Sequence, residues 1–100
     1  MILHTDARVV LVADDEQSVR GLIARYLEML GLKTVTAANG VEAVERVQAH
    51  RGQLAAIFMD YSMPEMNGAE AFRLIRRDDP DVPFIMLSGY GERDALGAIT

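Results

Sequence analysis

The sequence predicts an α/β fold: a doubly wound parallel sheet with strand order 2-1-3-4 and helices on both faces. Two observations predict it. Four short runs rich in β-branched and other apolar residues have strand length, and three of them are apolar at nearly every position, as strands covered on both faces are. Between them the apolar residues recur at helical spacing, and regular alternation of strand and helix implies parallel pairing through crossovers. One hundred residues with no repeat, low-complexity tract or linker are expected to form one domain, residues 1–100.

The first strand is "RVVLVA" (8–13). From Ser18 onward Val19, Leu22, Ile23, Tyr26, Leu27 and Leu30 mark one face of an amphipathic helix, with Gly31 at its C-cap. "KTVTAA" (33–38) is the second strand. Asn39-Gly40 then opens a helix whose apolar stripe is Val41, Val44 and Val47. "LAAIFM" (54–59) is the third strand, buried on both faces. Ala71, Phe72, Leu74 and Ile75 mark a third helix, closed by "RRDDPDVP". Asn67-Gly68 is also a hairpin-turn dipeptide, but helical spacing follows it where a hairpin needs a strand. "FIMLS" (84–88) is the fourth strand, and "GERDALGAIT" (91–100) begins a fourth helix.

The composition excludes several function classes. The net charge of −5 argues against non-specific nucleic-acid binding, which needs a basic face. No cysteine is present, so disulfides and thiolate metal sites are unavailable. No segment approaches the ~20 apolar residues of a membrane helix, and the N-terminus lacks the pattern of a signal peptide. A cytoplasmic location is expected. His4 and His50 have no partner at ligand spacing and read as solvated.

The chemistry lies where the strands end. In a sheet of this order the first and third strands are neighbours from which the chain departs in opposite directions, and ligands bind beyond their C-terminal ends. The first strand runs into Asp14-Asp15-Glu16 and the third into Asp60. Asp60 is therefore expected to face Asp14 and Asp15 across the crevice. Clustered carboxylates repel, and at neutral pH they hold a proton or a cation. An oxygen-only donor set selects a hard ion, Mg²⁺, which keeps waters and accepts phosphate oxygens. Taken singly, Asp14-Asp15 could serve only the helix dipole, Asp60 only a turn, and Ser88 only as a loop hydroxyl. Their joint position at strand ends raises them above those readings.

"VLVADDEQSVR" (10–20), "FMDYSMPEMNG" (58–68) and "FIMLSGYG" (84–91) together resemble a response-regulator receiver domain of two-component signalling, over essentially the whole chain. The resemblance implies the flavodoxin-like topology, for which a receiver is one of the standard examples. It implies that Asp60 is the phosphoacceptor, taking a phosphoryl group from a phosphohistidine on a histidine kinase or phosphotransfer protein. Asp15 would ligate Mg²⁺ with Asp60, Asp14 would assist, and the Ser62 backbone carbonyl would complete the protein ligands. Ser88 would hydrogen-bond the phosphoryl group, and Ser62 and Tyr90 would modulate its lifetime. Met63-Pro64 and Gly68 would shape the loop. Output would pass to an attached domain or a downstream protein, with no direct nucleic-acid or membrane contact, and the chain would be a switch and not an enzyme.

Two alternatives remain. A phosphatase of the haloacid-dehalogenase type also uses an aspartyl phosphate, but needs an acid two residues after the nucleophile, where Ser62 stands. A phosphorylation-independent interaction module is the other. Receivers also carry a lysine after a fifth strand; the sole lysine here, Lys33, lies in the second strand, and no fifth strand or helix follows. The chain thus reads as truncated. The fourth strand would expose an apolar edge, and the third helix would lose a neighbour, so self-association through the fourth strand is expected.

Overall fold

The computed structural model describes residues 9–87. The end of the fourth predicted strand at Ser88 and the predicted helix over 91–100 lie outside them. Within them the order is β1 (Val9–Ala13), α1 (Gln17–Met29), β2 (Lys33–Ala37), α2 (Gly40–Ala49), β3 (Leu54–Asp60), α3 (Gly68–Asp78) and β4 (Phe84–Leu87). The four strands are parallel in the order β2-β1-β3-β4, as the alternation requires.

Strand residues alternate between two cores because successive side chains point to opposite faces. Leu11, Ala13, Ile57 and Met59 meet Ala43 and Val47 of α2 and Ala71 and Ile75 of α3. Val10 and Val12 meet Leu27 of α1, with Ile23, Leu32 and Phe58 partly buried beside them. β2 is an edge strand, and Lys33 and Thr36 are exposed accordingly.

Helix ends follow their local chemistry. Gly31, at φ 89°, closes α1: its N–H donates to the Glu28 carbonyl and that of Leu32 to the Leu27 carbonyl, the paired bonds of a Schellman cap. Asn39 caps α2 by accepting from the Glu42 N–H at 2.8 Å. Asn67 and Glu70 form a reciprocal capping box on α3, so Asn67-Gly68 begins a helix and not a hairpin.

Four expectations need correction. The face of α1 turned to the sheet is Ile23, Ala24 and Leu27, whereas Val19, Leu22, Tyr26 and Leu30 are exposed. In α2, Val41 is likewise exposed, and Ala43 takes the buried place beside Val47. Most of the exposed apolar surface among the described residues falls on α1 and none of the large apolar residues of α3 is exposed, because α3 packs beside α2 on the sheet. His50 is half-buried at the C-cap of α2, its Nδ1 3.0 Å from the Arg46 carbonyl, and is not simply solvated.

Candidate functional site

The acidic crevice is built by strand register. Ala13 of β1 pairs with Met59 of β3, which places Asp14 and Asp60 one residue further along adjacent strands. From there the chain turns to α1 on one face and to α3 on the other, so among the described residues no helix roofs the strand ends. One carboxylate oxygen each from Asp14, Asp15 and Asp60 lies within 4.8 Å of the others. The strand order requires this convergence, and the fold produces it.

The three acids are held differently. Asp14 is 5% exposed; its Oδ1 accepts from the Glu16 N–H at 2.9 Å, and its backbone carbonyl accepts from the Arg20 guanidinium at 2.7 Å. Asp15 is exposed. Asp60 is half-buried, and burial pushes its carboxyl above the usual range. The Ser62 N–H, donating to Asp60 Oδ1 at 3.3 Å, opposes that rise, while the charges of Asp14 and Asp15 and a hydrogen bond shared with Asp15 add to it. Among the described residues the one ion pair joins Arg51 to Asp78, and Arg20 meets Asp14 through its backbone carbonyl and not its carboxylate.

Crowded carboxylates fit a hard divalent ion. The donor set of Asp14, Asp15 and Asp60, with oxygen atoms only, suits Mg²⁺ better than zinc or copper. Ser62 is exposed on the loop directly after Asp60, and Met63, 8% exposed, anchors that loop in the core. Lys33 starts β2, paired with Val9 at the opposite end of the sheet from the acids. Ser88 and Tyr90 lie outside the described residues.

Sequence reasoning missed Arg20 and the spatial role of two glycines. Arg20 sits one turn into α1 and ties that helix to the carbonyl of Asp14. The glycines carry a signal in the sequence: "NGVEA" (39–43) and "NGAEA" (67–71) repeat one pattern at the starts of α2 and α3.

Comparison with known proteins agrees with this geometry. The family model described as "Response regulator receiver domain" matches residues 10–100, and the chain belongs to that family. It is 39% identical over 93 residues to the Autoinducer 1 sensor kinase/phosphatase LuxN of Vibrio campbellii, a match covering 92% of this chain and 11% of that protein. The chain thus spans about a tenth of the length of that relative. A response regulator receiver domain protein from Clostridium thermocellum superposes with a TM-score of 0.81 at 28% identity, covering 86% of this chain and 68% of that one. A chain of the CheX–CheY–BeF3–Mg²⁺ complex from Borrelia burgdorferi gives 0.79 at 27% identity, covering 90% and 71%. The doubly wound, flavodoxin-like topology and the place in two-component signalling are therefore those of a receiver.

Proposed function

We propose that this receiver accepts a phosphoryl group on Asp60 from a phosphohistidine of a histidine kinase or phosphotransfer protein, in a Mg²⁺-dependent reaction. The observation that carries the proposal is the meeting of Asp14, Asp15 and Asp60 within 4.8 Å at the ends of β1 and β3. A carboxylate oxygen of Asp60 attacks phosphorus, the P–N bond to the donor imidazole breaks, and the imidazole keeps the electron pair and takes up a proton. Phosphoryl transfer asks chiefly for positioning and charge neutralisation, so a weak nucleophile suffices. The Ser62 N–H already orients Asp60. Asp14, Asp15, Asp60 and the Ser62 carbonyl would hold Mg²⁺, which when bound supplies positive charge at the phosphoryl oxygens. Ser88 is the proposed hydrogen-bond donor to the phosphoryl group, with Ser62 and Tyr90 setting its lifetime.

The chain acts as one switch domain in the cytoplasm and not as an enzyme with its own turnover. No helix among the described residues is long and apolar enough to cross a membrane. Signal output passes through altered protein contacts to an attached domain or a downstream protein. The haloacid-dehalogenase reading is disfavoured by Ser62, which supplies no acid two residues beyond Asp60. Among the described residues β4 has β3 on one side only, and Ile85 is 44% exposed, which supports self-association along that edge.

Incubation with a low-molecular-weight phosphodonor and Mg²⁺ should add one phosphoryl group by intact mass, and Asp60→Ala should abolish the addition. Labelling of the alanine variant at another residue would overturn the assignment. Asp15→Asn should remove most Mg²⁺ binding in titration calorimetry; unchanged affinity would place the ion elsewhere.

A further inference from the structure

The repeated Asn-Gly-x-Glu-Ala pattern gives each helix an Asn cap, a Glu at the third position and a glycine at the first. Neither Gly40 nor Gly68 has a positive φ, so conformational freedom does not explain them. Space does. A Cβ on Gly68 would stand 2.6 Å from the Asp60 carbonyl oxygen and 2.8 Å from Tyr61 Cα. A Cβ on Gly40 would run into the Met66 carbonyl oxygen, with the Met66 carbonyl carbon and Cβ both at 2.8 Å. The start of α2 thus presses on the backbone of the loop that leaves Asp60, and the start of α3 presses on Asp60 itself.

The loop between them is tightly folded. The Met66 N–H donates to the Pro64 carbonyl at 2.7 Å across Glu65, whose φ is 66°. That is the positive-φ form of the γ-turn, the rarer and more strained of the two. The Gly68 N–H donates to the Tyr61 carbonyl at 2.7 Å and pins the loop's ends together. A strained turn persists only where its surroundings over-determine it. Beside the burial of Met63 and the packing of Met66 on the core, the backbone of Gly40 is the close contact from outside the loop that contributes to this.

We propose that Gly40 is a positioning residue of the Asp60 site. By lacking a side chain it lets the start of α2 seat Met66, and so fixes the loop carrying Ser62, whose N–H holds Asp60. Its bearing on Mg²⁺ rests on the phosphoacceptor reading, but its effect on the loop does not.

The test compares Gly40→Ala with Gly52→Ala in the metal-free chain. Gly52, at φ 81° with nothing within 4 Å of an added Cβ, is a strained control away from this contact. Both substitutions should lower Tm. Only Gly40→Ala should move the amide NMR signals of residues 60–67, and only it should weaken Mg²⁺ several-fold. That loss should fall below the about 10–100-fold typical of removing a direct partner of a metal ligand. Signals confined to α2 with wild-type Mg²⁺ affinity, or equal weakening by Gly52→Ala, would overturn the proposal. Should Gly40→Ala not fold, the double variant with Glu65→Gly should, because a relaxed turn yields to the added methyl; failure of the double variant would also overturn it. Absence of Mg²⁺ binding in the wild type would count against the phosphoacceptor reading, while the loop signals would still decide the role of Gly40.

Discussion

The two faces of the sheet carry similar residues to different ends. On the face covered by α2 and α3, Leu11, Ile57, Met59 and Ile75 are all at most 1% exposed. On the face covered by α1, Val10 and Val12 are as deeply buried, yet Leu22, Tyr26 and Met29 on the helix above them stand 62–78% exposed. Ile85 of β4, which alternates with the buried-side Phe84 and Met86, also faces out beyond the reach of α1. Among the described residues two helices cover one face of the four strands and one helix covers the other. The closed face is where folding free energy is concentrated, and the open face is where apolar surface remains for other contacts.

The largest expected effect tests that contrast directly. Ile57→Ala should cost about 2–5 kcal/mol in chemical denaturation, because a cavity opens where the surroundings cannot collapse. A cost matching that of Leu22→Ala would erase the distinction between the faces.

Next comes the seam between α3 and β4. The Arg76 guanidinium donates to the Val82 carbonyl at 2.6 Å and to that of Pro80 at 3.2 Å, and lies over the rings of Phe72 and Phe84. Arg76→Ala should cost about 1.5–3 kcal/mol, as expected for hydrogen bonds to a charged donor. Arg76→Lys should not restore it, since an ammonium lacks the planar fork. Full recovery with lysine would show that charge alone matters.

A smaller effect of opposite sign is expected at the strand ends. The carboxyl of Asp60 titrates higher when folded than its unfolded value of 3.8. The unfolded chain therefore loses this proton first, so ionisation costs stability as pH rises from about 3.8 through the folded pKa, and the full cost remains above it. Asp60→Asn should melt higher than wild type at neutral pH, and the gain should vanish on acidification below the unfolded value. A pH-independent difference would assign the effect to packing.

The smallest effect belongs to the open face. Leu22→Ser and Tyr26→Ser should each change stability by only about 0.5 kcal/mol or less, as exposed substitutions do. A loss above about 1 kcal/mol in either would mean that α1 is covered in solution.

Much of this was legible in the sequence, because it depends on local chemistry. Consecutive apolar residues define β1, β3 and β4, the β-branched Thr34, Val35 and Thr36 mark β2, Gly31 ends α1, and the alternation dictates a parallel sheet. Once that sheet is granted, the positions of Asp14, Asp15 and Asp60 at strand ends require them to meet. The face of α1 was not legible. Ile23 and Leu27 lie about 100°, one residue's rotation, from Leu22 and Tyr26, so one apolar arc contains both and periodicity cannot choose within it. The crossover from β1 to β2 sets how the helix is rotated on the sheet, and only then does Ala24 turn inward while Leu22 turns out. The same holds for Gly40, whose first-turn position is plain in "NGVEA" but whose neighbour is Met66, 26 residues later in the chain. Residues distant in sequence meet only when strands pair, so the sequence by itself determined the elements and the acids, and the tertiary structure decided which surfaces close and which contacts hold the site.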